Sequence, residues 1–244
     1  MKRAFTDLHL RVNGKNHENT SRMLTKAADL GYSMVAIPLA PETPKEHITQ
    51  LKTSSQELGL DFATRIDLRP KTPNELLNQL RKFRRKFEVI SVQCDNKPVA
   101  RQAAKDRRVD LLGFPHLDFR HRFFDKAEAE LASSSLATLE VDVKPLLVLE
   151  GPARIRFLGN LRKEVAVAKG FGLPLVVSSG VSDALLLRKP REVAVLSSLF
   201  GLDEVAGLDA VSKNPTEVVA RNRGKLGGGF VAPGIRVVKE GKDC

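Results

Sequence analysis

Pro174-Leu-Val-Val-Ser-Ser-Gly-Val-Ser-Asp183 is a short apolar run that ends in two hydroxyls and a glycine. A long helical stretch, Pro152 to Gly170, precedes it. Leu187-Arg-Lys-Pro-Arg-Glu192 follows, and a new helix opens at Pro190. A brief apolar run between two helices reads as a strand buried on both faces, the kind found in parallel sheets. The spacing places a polar site at the carboxyl end of that strand, with Arg188, Lys189 and Arg191 close to its rim. Such a rim suits a phosphate-rich partner better than a small apolar ligand.

The same rhythm runs through the chain. Strands are predicted at Ala4-Phe5 with Leu8, Met34 to Ile37, Leu60 to Leu68, Glu88 to Val92 and Val109 to Leu112. A sixth covers Thr138 to Val143 and Leu146 to Leu149, broken at Pro145, and Leu175 to Val177 is the seventh. Helices are predicted at Thr20 to Leu30, from Pro44 to Leu58, from Pro73, and at Pro98 to Ala104 and Lys126 to Ala132. Further helices cover Pro190 to Phe200 and Pro215 to Asn222, with a short strand near Asp209 to Val211. Alternating strands and helices imply a parallel sheet. The length of 244 residues lies near the ~250 usual for a (β/α)₈ barrel. The fold expected is therefore α/β, a TIM-type (β/α) barrel of seven or eight parallel strands. It forms a single domain over residues 1–244, in which only Gly227 to Gly229 and the stretch Ile235 to Cys244 look loose, with a loosely ordered tail from about residue 239. A doubly wound open sheet is the alternative, but no Gly-rich phosphate loop follows the first strand.

Forty Lys and Arg against twenty-nine Asp and Glu give a net charge of +11, which favours polyanionic partners. The cations are unevenly spread. Arg65 to Lys126 holds sixteen against eight acidic residues, and Arg154 to Arg191 eight against two. Arg81-Lys-Phe-Arg-Arg-Lys86 closes a helix, where part of its role is to complement the negative helix end. Arg107 and Arg108 precede the fifth strand, at the rim opposite the strand ends. Arg154 and Arg156 stand in the first half of a helix, where cations oppose the dipole. Trp is absent and Tyr32 is the single tyrosine, which disfavours aromatic base-stacking platforms. Two distant cysteines, Cys94 and Cys244, make no disulfide framework and fit a reducing cytoplasm. The first residues lack the apolar core of a signal peptide, and no apolar run approaches the roughly 20 residues that span a bilayer.

In a barrel, function gathers at the carboxyl ends of the strands. The residues expected there are Asp7 and His9, Arg65 with Asp67 and Arg69, Gln93 with Asp95, His116, Asp142 with Lys144, and Ser178 with Ser179. One reading of this mixture is a metal-dependent phosphoesterase using Asp7, His9 and His116. Such a site needs several His and carboxylate ligands on one to three ions. The chain has five His, and His17, His47 and His121 fall where no partner is expected. Ser178-Ser179 lacks a Gly-x-Ser-x-Gly elbow, and no His follows it, so a triad in the order Ser, Asp, His is excluded. These serines either satisfy orphan backbone amides or meet a phosphate or ribose.

Four segments together resemble the archaeal ribonuclease P protein component 3 family: Ala153-Arg-Ile-Arg-Phe-Leu158, Val176-Val-Ser-Ser-Gly180, Leu187-Arg-Lys-Pro-Arg-Glu192, and Asn214-Pro215 with Asn222-Arg223. Its eukaryotic relatives are the p30-type subunits of ribonuclease P and ribonuclease MRP. Phe5-Thr-Asp-Leu-His9 and Arg107-Arg-Val-Asp-Leu111 fit as well, so the resemblance runs from Asp7 to about Val238. It implies a TIM-type barrel of the polymerase-and-histidinol-phosphatase superfamily. It also implies a protein subunit of an endoribonuclease that removes the 5′ leader from precursor tRNA, the RNA subunit carrying the chemistry and its Mg²⁺. The partners implied are ribonuclease P RNA, precursor tRNA through the holoenzyme, and protein component 2 in a two-plus-two assembly. The superfamily opens with a His-x-His pair, whereas here Asp7 precedes His9, so no cofactor is expected on the protein and no catalytic residue in it. The RNA contacts expected are Arg81, Arg84, Arg85, Arg107, Arg108, Arg154, Arg156, Arg188, Lys189 and Arg191, with Ser178 and Ser179.

Overall fold

A computed structural model of the chain describes residues 3–12, 17–115, 122–227, 230–232 and 235–236. Seven parallel strands follow one another round a nearly closed barrel: β1 (Thr6–Asp7), β2 (Met34–Pro38), β3 (Asp61–Leu68), β4 (Val89–Gln93), β5 (Leu111–Gly113), β6 (Thr138–Asp142) and β7 (Leu175–Ser178). Each is paired with the next in sequence. Helices lie between them: α1 (His17–Asp29), α2 (Lys45–Glu57), α3 (Pro73–Phe83), α4 (Lys97–Lys105) and α5 (Lys126–Ser133). The short α6 (Lys144–Val148) and the long α7 (Gly151–Gly170) lead to β7. After it come α8 (Pro190–Leu196), α9 (Glu204–Ala210) and α10 (Lys213–Leu226).

Helices start where the sequence supplies caps. The side chains of Thr72, Asn96 and Asp125 accept from the backbone N–H groups of Glu75, Val99 and Glu128 at 3.2, 3.0 and 3.0 Å. Pro73 and Pro98 sit in first turns, where a missing N–H costs nothing. Strand side chains alternate between two environments. Phe62, Ile66 and Leu68 of β3, Ile90 and Val92 of β4, and Leu139 and Val141 of β6 join the large core beneath the helices. Leu8, Ala36, Ala63, Val89, Leu111 and Val176 form a separate apolar layer inside the barrel, completed by Val219 of α10.

That helix stands in for the missing eighth strand. β1 and β7 are not neighbours in the sheet. The gap is bridged by Gly180 N–H to the His9 carbonyl at 3.1 Å and Arg11 N–H to the Val181 carbonyl at 3.0 Å. At the amino-terminal end, Thr6 N–H donates to the Val211 carbonyl at 2.9 Å, and the Thr6 and Thr216 hydroxyls bond at 2.9 Å. Asn222, 1% exposed, donates to the Glu88 carbonyl and to Asp110 at 2.7 and 2.8 Å. Arg223 bonds both oxygens of Asp61 at 2.6 and 2.9 Å and also pairs with Glu88. The carboxylates Asp61, Glu88 and Asp110 mark the starts of β3, β4 and β5, so α10 is stitched across that end of the barrel.

Three expectations are corrected. Leu146 to Leu149 does not continue the sixth strand: Pro145 stands in the first turn of α6. Asp209 to Val211 is not a strand, since Asp209 and Ala210 close α9. Only the Val211 carbonyl plays a strand-like part, towards Thr6. The stretch from Ile235, read as loose, opens with β9 (Ile235–Arg236), antiparallel to β8 (Phe230–Ala232) and outside the barrel. The tail from about residue 239 lies outside the described residues, as does His116.

Candidate functional site

The strand register lifts a polar layer above the apolar one. Arg65 follows Ala63 by two residues on β3, Ser91 follows Val89 on β4, and Ser178 follows Val176 on β7; Glu140 of β6 pairs in register with Val176 and Gly113. Arg65 is fully buried. Its two terminal nitrogens donate to the two Glu140 oxygens at 2.6 and 2.7 Å, and Nε donates to Asp67 at 2.7 Å. A further bond reaches the Leu8 carbonyl at 2.8 Å. Ser178 donates to Glu140 at 2.8 Å. Burial opposes the guanidinium charge, but Asp67 and Glu140 overcome it and hold Arg65 above the ordinary arginine range.

His9 closes the mouth. Its Nδ1 lies 2.9 and 3.0 Å from the two oxygens of Asp142, while Nε2 lies 3.2 Å from Asp67 Oδ2 without hydrogen-bond alignment. Burial and Arg65 both oppose a charge on the ring, yet Asp142 and Asp67 outweigh them and push the imidazole up to about 10. Asp67 is held below the usual carboxylate range, because Arg65 and His9 outweigh its burial. Asp7 is the opposite case: burial raises it despite bonds from the Ser179 and His9 backbone amides at 3.0 Å each. Gly180 (φ +64°) passes so close to Asp142 that a Cβ there would lie 2.5 Å from its Cγ.

The donor atoms of His9, Glu140 and Asp142 fall within 4.8 Å of one another, which is compact enough for an ion. The chemistry does not fit. His9 Nδ1 is already engaged, 2.9 and 3.0 Å from the two Asp142 oxygens. Both Glu140 oxygens already accept from Arg65. The internal cation of this barrel is a guanidinium, and no hydrolytic step is assigned to the mouth. Of the three ligands in the phosphoesterase reading, Asp7 keeps Oδ2 and His9 keeps Nε2 buried without a hydrogen bond, and His116 lies outside the described residues.

The expected RNA contacts divide into three groups. Ser178 and Ser179 are turned inward, 1 and 3% exposed; Ser178 bonds Glu140 and Ser179 the His9 carbonyl. Their placement at an RNA surface is corrected by that burial. Arg84 donates to Asp110 and to the Phe87, Glu88 and Arg108 carbonyls, binding the α3–β4 and α4–β5 connections together. Arg108 grips Asp106 with two bonds, at 2.9 and 2.6 Å. Arg154 donates to the Leu149 carbonyl, and Arg188 to those of Leu185 and Leu187. Arg81, Arg85, Arg107, Arg156, Lys189 and Arg191 are exposed and meet no carboxylate among the described residues.

Location is the second correction. Residues 188–191 were expected beside the Ser178 site, at the carboxyl end of the strands. Instead the Tyr32 hydroxyl donates to the Arg188 carbonyl at 3.1 Å, and the Arg191 guanidinium lies 5.6 Å from the Phe5 ring centroid. Phe5 and Tyr32 precede β1 and β2, so the segment has returned to the amino-terminal end. Arg81 and Arg85 lead into β4 and Arg107 into β5, at that same end. Lys225 of α10 is held below the usual lysine range by burial and by Arg221, Arg84 and Arg107, with Asp110 opposing. Arg154 and Arg156 lie apart, at the start of α7. His17 and His47, expected to be partnerless, meet edge to face with ring centroids 6.0 Å apart.

Sequence reasoning gathered Asp7, His9, Arg65, Asp67, Gln93 and Asp142 at the mouth, and the structure brings them together. It missed Glu140 and Ser91. The available signal was the two-residue strand period, which puts Glu140 on the face of Asp142 and Ser91 on that of Gln93.

The fold and its interior define a TIM-type barrel whose mouth is occupied by its own ion pairs, and five of the six exposed cations just named lie at the other end. Residues 4–226 match the family model described as RNase P subunit p30, and the chain belongs to that family. It is 31% identical over 225 residues to ribonuclease P protein component 3 of Methanosarcina barkeri, covering 92% of each chain. The Methanosarcina mazei protein of the same name is 30% identical, over 88% of this chain and 87% of the relative. The fold is similar to a chain in the cryo-EM structure of archaeal ribonuclease P with mature tRNA (TM-score 0.83, 20% identity, 98 and 100% coverage).

Proposed function

We propose that this chain is the protein component 3 subunit of ribonuclease P, that it binds and stabilises the catalytic RNA, and that it breaks no bond itself. The observation that carries the reading is the placement of Arg81, Arg85, Arg107, Lys189 and Arg191. All five belong to the amino-terminal end of the barrel, exposed and without carboxylate partners among the described residues. Cations in the last turn of a helix offset its dipole, which accounts for Arg81. Arg107, Lys189 and Arg191 lie beyond helix ends or open a new one, and that explanation fails for them. Unpaired arginines repelling one another are stabilised by an outside phosphate array, which also releases counterions.

On this reading Mg²⁺ sits on the RNA, and the protein lowers the concentration of it that the RNA needs. Precursor tRNA is met through the holoenzyme. Protein component 2 is the protein partner, in a two-plus-two assembly. A cytoplasmic location agrees with the buried free thiol of Cys94. Among the described residues no helix is long and apolar enough to cross a membrane.

The test is cleavage of precursor tRNA by the reconstituted RNA with component 2 at limiting Mg²⁺. Adding this protein should raise the rate. The triple variant Arg81→Ala/Arg85→Ala/Arg107→Ala should fold and fail to raise it, with raised Mg²⁺ restoring activity. An unchanged rate on adding the wild-type protein overturns the reading.

A further inference from the structure

Leu187-Arg-Lys-Pro-Arg-Glu192 was singled out in the sequence, and phosphate screening alone does not explain its position. In the structure it forms one wall of a groove of about 560 Å³ at the amino-terminal end. The opposite wall is Phe5 and the turn Leu30 to Ser33. The volume lies in the range of small-ligand sites. The floor is apolar, from Phe5, Leu30 and the ring of Tyr32, whose hydroxyl is engaged by the Arg188 carbonyl. The rim is cationic, from Lys189 and Arg191, and neither side-chain charge pairs with a carboxylate among the described residues.

Arg191 is arranged unusually for a surface cation. Its guanidinium lies over Phe5, with its charge against the ring face. The contact leaves the charge unneutralised, and a guanidinium offers a nucleobase a planar face to stack on. Lys189 is held in place from below. Pro190 follows it, and the Glu192 side chain accepts from its backbone N–H at 3.2 Å. That bond fixes the backbone where the side chain leaves it, and the exposed ammonium is a point charge suited to a phosphodiester. A flat stacking surface beside a point charge, over an apolar floor, matches one nucleotide. A paired helix keeps its bases inside and offers only phosphates to such a groove.

We propose that this groove receives one unstacked nucleotide of a single-stranded RNA segment, its base on Arg191 and Phe5 and its phosphate on Lys189. The inference rests on the RNA-binding reading above and adds a strand-selective site to it.

Tyr32 is the single tyrosine and tryptophan is absent, so intrinsic emission reports on the groove itself. The full-length protein is titrated with single-stranded pentauridylate and, separately, with a ten-base-pair RNA duplex. Pentauridylate is expected to change Tyr32 emission, and Lys189→Ala/Arg191→Ala to weaken its binding about tenfold while duplex affinity falls less than twofold. Arg81→Ala/Arg85→Ala should weaken the duplex and keep the emission change. Ala4 also lines the groove, and Ala4→Leu, which narrows it without altering charge, should weaken pentauridylate alone. If pentauridylate binds with Tyr32 emission unchanged, or the Lys189/Arg191 pair weakens both probes equally, the groove takes no base and the RNA-binding reading stands. If the wild-type protein binds neither probe at moderate salt, the RNA-binding reading fails and this site with it.

Discussion

Arg65 and Glu140 face each other across the barrel interior through two parallel hydrogen bonds, with side chains 0 and 3% exposed. In a dry interior such a fork is worth keeping only while every partner is present. Arg65→Ala leaves Glu140 and Asp67 charged and unmatched, and should cost about 3–5 kcal/mol. The double variant Arg65→Met/Glu140→Leu should recover much of that loss. Denaturant unfolding of the two variants and the wild type checks this, and equal losses would refute it.

His9 sets a pH dependence. Its imidazole stands at about 10 in the fold against an ordinary 6.5. A group raised in this way stabilises the fold fully below pH 6.5 or so, and the contribution drains away as pH rises towards 10. The melting-temperature gap between wild type and His9→Gln should therefore be widest near pH 6 and shrink steadily to pH 10. A gap that widened with pH would contradict the assignment of a charged ring.

Gly180 is where the chain passes Asp142, at a positive φ that side chains disfavour. Gly180→Ala adds backbone strain of about 1–3 kcal/mol and must push Asp142 off His9. The expected result is a lower melting temperature together with a downward shift of the His9 titration seen by NMR. A lower melting temperature with an unmoved titration would mean that Asp142 keeps its place.

Arg84 and Arg85 are adjacent and should behave oppositely. Arg84 holds Asp110 and three carbonyls; Arg84→Ala leaves those acceptors bare and should cost about 1–3 kcal/mol. Arg85→Ala should leave stability unchanged within about 0.5 kcal/mol and lower the slope of log affinity for RNA against log salt by about 0.7 to 0.9 per contact. Thermal melts and salt titrations on the pair separate the two roles.

Asn222→Ala removes donors to the Glu88 carbonyl and to Asp110 in a sealed site. A loss of about 1–3 kcal/mol is expected. Chemical denaturation measures it, and a neutral outcome would show that the other contacts of α10 hold the helix without Asn222.

The barrel was legible because its strands are apolar on the helix side and helices separate them at regular intervals. Residues 138–149 misled because Val143 to Leu149 is apolar enough for either structure, and Pro145 reads as a break in a strand as well as the start of a helix. Arg65 and Asp67 were legible as mouth residues from strand position. The engagement of Arg65 with Glu140 was not, since which strands face one another across a barrel depends on closure, and closure here departs from eight strands. The return of residues 188–191 to the amino-terminal end was hidden for a related reason. A helix that follows a strand ordinarily starts at the strand's carboxyl end, and only the contacts with Phe5 and Tyr32 reveal the longer path.

The reliance of β1 on Val211 and Thr216 has a consequence for biosynthesis. More than two hundred residues separate these partners, so the first strand emerges from the ribosome long before anything can seal its open edge. The growing chain must hold a half-built ring until the last helix arrives, and loss of residues 211–226 should leave the whole ring ajar rather than merely shorten it.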